Sequence, residues 1–130
     1  MIVNPALKEN FRRNLRQRGA LLAKARAVTV QFAELFKDNL YFENAQHANE
    51  MAQKLAQGIK ECGYDLWSDS PTNLIFPIFP KTVIEKLESN YGFYIWQPHD
   101  EEHSVIRLAT SWATPESAVE EFIADLKKIN

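Results

Sequence analysis

Arg107 is the residue whose surroundings most suggest chemistry, because it is a single cation in an otherwise apolar, strand-like run, VIRLATSWATP. The side chains of a strand alternate between its two faces, so Arg107 points away from Ile106 and Leu108. A guanidinium fixed on a strand can bind a carboxylate through two parallel hydrogen bonds. Strand arginines are more often solvated or paired with an acidic neighbour, so the pattern alone leaves both interpretations open.

Two histidines, His99 and His103, flank the acidic turn Asp100-Glu101-Glu102 and raise the question of a metal site. The cluster has no ligand repeat, so a solvated hairpin turn is the favoured interpretation. The rest of the sequence has no glycine-rich phosphate loop, no nucleophile elbow, no recognisable pair of catalytic carboxylates and no Cys/His metal spacing. We therefore predict no metal site and no self-contained active site.

The charge of the chain is nearly balanced in total but unevenly distributed. The sequence has 15 Lys and Arg against 17 Asp and Glu, with a net charge of +6 in residues 1–30 and −8 in the remainder. A basic start can bind nucleic acid, but these arginines alternate with helix formers and lie beside a single aromatic residue, Phe11. We expect an internal contact with the acidic remainder and no nucleic-acid binding.

Composition places the chain among soluble proteins. Its 130 residues, 45% of them hydrophobic, suit one compact domain with a real core. The single cysteine, Cys62, excludes an intrachain disulfide and fits a reducing compartment. The sequence shows neither a signal-peptide pattern nor an apolar run of roughly 20 residues, the length that spans a bilayer. We therefore predict a soluble, cytoplasmic protein without membrane contact.

Three helices are predicted in the first half. Asn4 and Pro5 suit the N-cap and first position of a helix that Gly19 interrupts. A second helix over 20–37 carries a broad apolar stripe that needs a covering surface. The strongest helical period covers 40–62 and would give a helix of roughly 30 Å, long enough to connect two bodies.

Gly63 is predicted to end this long helix, and His47 lies off its apolar stripe, so we expect His47 at the surface. After Gly63 the pattern changes to short strands. Strands are predicted over 64–67, 73–79, 93–97 and 104–110, with helices over 80–90 and 115–129. Pro77 indicates an edge or a bulge in the second of these strands. Thr114 is expected to cap the last helix.

The order of elements is three helices followed by β-β-α-β-β-α. This order predicts an α+β fold, in which a small antiparallel sheet has helices on one face. The other face would then carry aromatic or aliphatic side chains without a cover. An uncovered apolar sheet face usually binds a partner, so we expect one here.

Two parts of the sequence resemble a known enzyme family. The segment QRGALLAKARAVTVQFAELFKDNLYFENAQHANEMA, at 17–52, and the segments TNLIFPIF and IRLATSWAT, within 72–114, resemble the C-terminal part of the low-specificity L-threonine aldolase and β-eliminating lyase family. Members of that family are pyridoxal-phosphate enzymes of the aspartate-aminotransferase fold type. The resemblance covers nearly the whole chain, and its specificity comes from the ordered set of segments.

The resemblance implies a domain division and several site residues. Residues 1–38 would correspond to the tail of the large cofactor-binding domain, and 39–130 to a long connector helix with the small C-terminal domain. Arg107 matches the strand arginine that binds the α-carboxylate of the amino-acid substrate. Arg16 or Arg18 could match an arginine near the cofactor phosphate, and both alignments stay open. A helix-surface charge is the alternative for each.

The chain also departs from the family. The aldimine lysine, the acid that holds the pyridine nitrogen protonated and the residue that stacks on the ring belong to the large domain of family members, and Lys8 and Lys24 have no matching context. We therefore expect no catalytic residue and no bound pyridoxal phosphate in this chain alone.

The expected partner is the large domain, or another copy of the chain bound through the open sheet face. The chain would then be a fragment or truncated form that is inactive alone. A stand-alone binding or oligomerisation module is the alternative. A ferredoxin-like amino-acid sensor is less favoured, because no final strand follows residue 129.

Overall fold

The computed structural model describes residues 4–129, which divide into two structural units at Leu40 and Tyr41. The helices are α1 (Phe11–Gln17), α2 (Arg26–Leu35), α3 (Leu40–Glu61), α4 (Lys81–Glu88) and α5 (Glu116–Ile129). The strands are β1 (Leu74–Ile75), β2 (Ile78–Pro80), β3 (Tyr94–Pro98) and β4 (His103–Ala109). The α+β prediction, with one long helix before a small antiparallel sheet, is confirmed. The assignment of 1–38 and 39–130 to the large and small domains of an enzyme stays a prediction.

The first unit begins differently from the single helix predicted after Asn4. The Asn4 side chain does act as a cap, since its Oδ1 accepts the N–H of Ala6 at 3.0 Å, but the helix it caps is a 3₁₀ turn over Pro5–Leu7. Asn10 then adopts a φ of 55°, in the left-handed region, and α1 begins after it. Asparagine tolerates this region better than most residues, and one such residue interrupts a right-handed helix.

Helix α2 is shorter than the predicted 20–37 span, because it begins at Arg26 and ends at Leu35. A 3₁₀ turn with a left-handed Asp38 separates it from α3. The predicted apolar stripe is largely exposed, and no described residue of the first unit is buried. This unit therefore has no hydrophobic core of its own.

Helix α3 agrees with the prediction in length and in its end. Gly63 follows it with a φ of 87°, a conformation that favours glycine and stops a helix. One side of α3 is buried in the core of the second unit, and its buried residues are Ala48, Met51, Ala52, Leu55, Ala56, Gly58 and Ile59. Helices α4 and α5 add their own apolar sides, so the core lies between three helices and one face of the sheet. No helix within residues 4–129 combines the length and apolar character needed to cross a bilayer.

Strand β4 is the centre of the sheet, because β1, β2 and β3 all pair with it in antiparallel fashion. The pairs Leu74–Ala109 and Ile78–Val105 belong to one constant register. The predicted 73–79 strand is therefore two short strands along one edge of β4, with an interruption at Pro77. The Pro77 carbonyl still accepts the N–H of Ile106 at 3.0 Å, so the interruption does not displace the chain.

The two sides of the sheet, on either side of β4, differ in how their outermost segments pair. The predicted strand over 64–67 is instead an isolated bridge between Leu66 and Pro77, flanked by the hydrogen bond from Trp67 N–H to the Phe76 carbonyl at 2.8 Å. On the other side of β4, strand β3 carries one extra residue, Trp96, between its paired residues Ile95 and Gln97. This bulge locally changes the direction of the β3 side chains.

Candidate functional site

Arg107 lies near the end of the central strand, on the face of the sheet opposite the core. Its neighbours Ile106 and Leu108 are buried against the helices, whereas Arg107 is half-buried. In the sheet register Tyr94 of β3 is directly opposite Arg107. Phe76 is opposite it on the other side, since the constant register of β1 and β2 continues through this residue. Two aromatic residues therefore flank the arginine across the strands.

Aromatic rings, rather than acidic groups, contact the guanidinium. Its Cζ atom is 4.9 Å from the centre of the Tyr94 ring and 5.9 Å from the centre of the Trp96 ring. Both distances are within the range of cation–π attraction. Within residues 4–129 no carboxylate pairs with the Arg107 side chain and no acceptor takes a hydrogen bond from it. The N–H donors are therefore available to an external anion.

Three rings of this face contact one another in a row that includes Trp96 beside the arginine. The Phe76 and Trp96 rings are 5.4 Å apart, and the Trp67 and Phe76 rings are 6.2 Å apart. Because Phe76 and Trp96 belong to segments on opposite sides of β4, their contact crosses the open face of that strand. We call Trp67, Phe76, Tyr94 and Trp96 the aromatic layer. The sequence predicted aromatic or aliphatic side chains on the open face, but it did not place Trp67 and Phe76 there, because only the strand register brings them to this face.

Arg107 and the aromatic layer together form a candidate anion site. A guanidinium presents N–H donors in a planar fork that matches a carboxylate. Partial burial next to rings lowers the local dielectric, so each hydrogen bond to the guanidinium is stronger than in water. The site contains no nucleophile or general base in contact with the guanidinium. The arrangement can bind and orient a carboxylate, and it supplies no bond-breaking group.

The end of β4 is fixed just beyond Arg107. The Thr110 hydroxyl donates to the Ala48 carbonyl of α3 at 2.6 Å, and Thr110 is buried. Asn73 binds the same residue twice, because its carbonyl accepts the Thr110 N–H at 3.0 Å and its side-chain Nδ2 donates to the Thr110 carbonyl at 2.7 Å. These bonds connect the strand to the long helix and restrict the backbone that carries the arginine.

The loop after β4 corrects two predictions. His47 is not a free surface residue: it is half-buried, and its Nε2 is 2.8 Å from the Thr114 carbonyl oxygen. Thr114 does not cap α5 through its hydroxyl, which instead accepts the N–H of Ser111 at 2.9 Å. An ion pair between Lys54 and Glu116 joins α3 to the start of α5. This contact raises the pKa of Lys54 and lowers the pKa of Glu116.

The acidic turn between β3 and β4 is an internally hydrogen-bonded hairpin. Asp100 Oδ1 accepts the backbone N–H groups of Glu102 and His103 at 2.8 and 2.7 Å, and it lies 2.9 Å from His103 Nδ1. These bonds lower the pKa of Asp100 to about 2. His99 lines the adjacent cavity of about 330 Å³. Across the described residues, no three or more His, Cys, Asp or Glu side chains are grouped so that they could hold a metal.

Arg16 and Arg18, the two candidates for a phosphate contact, lie in the first unit. Arg16 is in the last turn of α1 and Arg18 directly follows that helix. Arg16 lines an open, basic cavity of about 460 Å³ with Lys8, Arg12 and Arg13. Both candidate residues are exposed or half-exposed on this small unit. The alignment of either one with a phosphate-binding arginine stays a prediction.

The lysines decide whether a pyridoxal phosphate site could form within this chain. All nine lysines lie in the described part of the chain, and every one is exposed. Lys8 and Lys24, which the sequence drew attention to, are on the surface of the first unit. An aldimine lysine needs a pocket that lowers its pKa and holds the cofactor ring. The described residues do not fit a complete site for this cofactor.

Comparison with solved structures finds several similar chains, among them the following two. Leishmania major threonine aldolase matches with a TM-score of 0.90 and 41% sequence identity, over 98% of this chain and 37% of that one. Sphingomonas wittichii serine palmitoyltransferase matches with a TM-score of 0.55 and 16% identity, over 65% of this chain and 23% of that one, which shows a similar fold only. This chain thus spans little more than a third of the length of the threonine aldolase. Neither a protein-family model nor a curated protein matches it.

Proposed function

We propose that this chain, which resembles the C-terminal part of the low-specificity L-threonine aldolase and β-eliminating lyase family, supplies the substrate-carboxylate site of a pyridoxal-phosphate lyase of that kind. The observation that carries the proposal is the similarity to Leishmania major threonine aldolase over 98% of the chain. Because the chain spans 37% of that enzyme, the reaction of a whole enzyme is part of the proposal. That reaction is the reversible cleavage of L-threonine or L-allo-threonine to glycine and acetaldehyde, or a related elimination.

Arg107 is the residue that carries the function within this chain. Its donors have no acceptor among residues 4–129, and it is half-buried on a fixed strand, as a carboxylate-binding arginine should be. It binds the α-carboxylate of the amino-acid substrate and sets the orientation of the substrate. No step of bond cleavage is assigned to a residue of this chain.

The cofactor belongs to a partner in this proposal. Pyridoxal phosphate supplies the electron sink of the family reaction when it is bound. The nine exposed lysines support a cofactor lysine outside the chain. The chain alone is then inactive, and it acts as a fragment or truncated form that associates with a large cofactor-binding domain. The first unit has no buried residue among those described and no core, which is consistent with its packing against such a domain.

Two further features complete the proposal. The open sheet face with its aromatic layer is a surface through which copies of the chain could also associate as oligomers. The single cysteine, Cys62, is buried, and one cysteine cannot form an intrachain disulfide, which fits a cytoplasmic protein. A stand-alone binding or oligomerisation module remains the alternative, and the experiments below separate it from the enzyme fragment.

The test is a hybrid enzyme in which this chain replaces the matching portion of Leishmania major threonine aldolase. We expect the hybrid to cleave L-threonine when pyridoxal phosphate is added. Arg107→Ala should raise KM for L-threonine by about a hundredfold, because a charge-assisted, bidentate contact is lost. Arg107→Lys should recover only part of the affinity, since it keeps the charge but not the planar fork. Lys86→Ala, which removes an exposed cation of α4, is the matched control and should leave KM unchanged.

Three outcomes contradict the proposal. A hybrid that folds and binds pyridoxal phosphate but cleaves neither L-threonine nor L-allo-threonine refutes the assignment to the aldolase reaction. An active hybrid whose KM does not respond to Arg107→Ala refutes the role of the arginine. An aldimine absorbance band in the 130-residue chain alone, at equimolar pyridoxal phosphate and trapped by borohydride at one lysine, refutes the statement that the cofactor belongs to a partner.

A further inference from the structure

The support of Arg107 differs from the usual support of a buried arginine. A structural arginine is normally held by an acidic side chain that accepts its hydrogen bonds. Here the contacts of the guanidinium are the Tyr94 ring at 4.9 Å and the Trp96 ring at 5.9 Å. A ring attracts the cation through its π face and takes none of its in-plane hydrogen-bond donors. The guanidinium is therefore positioned while its donors and its charge stay available.

The sheet fixes both rings relative to the arginine. Tyr94 is directly opposite Arg107 in the sheet register. The two side chains therefore lie on the same face of the sheet, and their Cβ atoms are close together. Trp96 is the extra residue of the β3 bulge, and its ring reaches across β4 to Phe76 at 5.4 Å. Phe76 in turn contacts Trp67 at 6.2 Å. The Trp96 ring is thus supported directly by Phe76, which in turn packs against Trp67.

We propose that Tyr94 and Trp96 are positioning residues, which hold the Arg107 guanidinium in its carboxylate-binding orientation through cation–π contacts. The inference deepens the proposed function and rests on it, because it assigns the cause of the orientation of the same arginine. A long, flexible arginine that is not held must be ordered when the substrate binds, and this ordering weakens binding. The two rings order the Arg107 side chain before the substrate binds. Removal of either ring should therefore weaken substrate affinity more than it slows the chemical step.

The first test separates KM from kcat in the hybrid enzyme. Tyr94→Leu, which keeps bulk but removes the ring, should raise KM for L-threonine by about three- to tenfold with kcat changed by less than about twofold. Tyr94→Phe should restore the wild-type KM, because the ring face remains and only the hydroxyl is lost. Trp96→Leu should raise KM in the same way, and Trp96→Phe should recover part of the effect. A fall in kcat with unchanged KM for the leucine variants would overturn the proposal.

The second test needs no cofactor and no activity. Protons held over an aromatic ring are shifted upfield in the NMR spectrum by the ring current. In the 130-residue chain, we expect the Arg107 Nε–Hε proton to resonate upfield of the other five arginines. The shift should be lost in Tyr94→Leu and kept in Tyr94→Phe. An Arg107 resonance at the position of an exposed arginine, unchanged by Tyr94→Leu, would overturn the proposal.

The two proposals fail in different ways. If Arg107→Ala leaves KM unchanged in an active hybrid, the proposed function fails, whatever the ring-current shift shows. If Arg107→Ala raises KM but Tyr94→Leu and Trp96→Leu do not, the positioning role fails and the proposed function stands. Urea unfolding of each variant checks that the sheet is intact. A leucine variant that unfolds is replaced in the comparison by the corresponding isoleucine variant, which also removes the ring and suits a strand, and the Arg107 resonance of the wild-type chain gives an independent readout.

Discussion

Gly58 of α3 lies so close to Ile123 of α5 that a methyl group on Gly58 would overlap the Ile123 Cδ1 atom and lie 2.6 Å from its Cγ1 atom. The absence of a side chain at Gly58 therefore lets the two helices approach, although glycine disfavours a helix interior. The contact joins the last element of the chain to the long helix.

Gly58→Ala should destabilise the second unit. The substitution gains about 1 kcal/mol of helix propensity, but overpacking against Ile123 costs about 1–3 kcal/mol, so we expect a net loss of up to about 2 kcal/mol. Urea unfolding followed by circular dichroism measures it. In a double-mutant cycle with Ile123→Ala, the smaller side chain should remove the penalty of Gly58→Ala. An increase in stability for Gly58→Ala alone contradicts the close packing.

Thr110→Val should weaken the attachment of β4 to α3. It keeps the side-chain shape but loses the buried hydrogen bond to the Ala48 carbonyl, so the free energy of unfolding should fall by about 1–2 kcal/mol. Thr110→Ser keeps the hydroxyl, so its free energy of unfolding should fall by less than that of Thr110→Val. A Thr110→Val variant as stable as the wild type would contradict a contribution from this hydrogen bond. Urea unfolding at neutral pH gives both values.

The hairpin should make stability fall in acid. The pKa of Asp100 is lowered to about 2 in the folded chain, from its usual 3.8, first by the hydrogen bond with His103 and then by the Glu102 N–H. The unfolded chain therefore binds the proton at higher pH than the folded chain. The stabilisation from Asp100 is complete above about pH 4 and is lost as the pH falls toward about 2.

The prediction for Asp100→Asn is a weaker dependence of the unfolding free energy on pH across this acid range. Urea midpoints at several pH values compare the variant with the wild type. Equal slopes for the two proteins would mean that the Asp100 hydrogen bonds do not form in solution.

Tyr91 should lose its proton at a higher pH than tyrosine in an unfolded chain. Burial and the hydrogen bond that its hydroxyl donates to Asp125 at 2.9 Å raise its pKa to about 12. Because the unfolded tyrosine loses its proton near pH 10, this residue stabilises the fold below that pH, and its contribution disappears as the pH rises toward about 12. In the tyrosinate absorbance of the native chain, the last transition should belong to Tyr91 and disappear in Tyr91→Phe, although burial also raises the pKa of Tyr64. A titration curve unchanged by Tyr91→Phe contradicts the assignment.

The sequence predicted well those elements that depend on local patterns. Helix α3 has an uninterrupted apolar period and a glycine at its end, so its limits could be derived within one residue. The first unit was predicted less well. A left-handed Asn10 interrupts its first helix, and side-chain periodicity carries no information about the φ angle of one residue.

Prediction of the candidate site is limited in a similar way, because some of its contacts join residues that are far apart in the sequence. Strand alternation alone placed Arg107 on the open face, and the aromatic character of that face followed from residues next to each other in sequence. The approach of Phe76 to Trp96 depends on the register of two different strand pairs with β4. Register arises from tertiary pairing, so no spacing in the sequence could reveal that contact.

The bulge in β3 has a further consequence for the behaviour of the protein in solution. Strand β3 forms an outer edge of the sheet, and an exposed edge can template the addition of strands from other molecules. The extra residue Trp96 breaks the regular spacing of the outward N–H and C=O groups, and Pro98 has no N–H to donate. A face rich in exposed aromatic rings thus ends at an edge that resists amyloid-like growth.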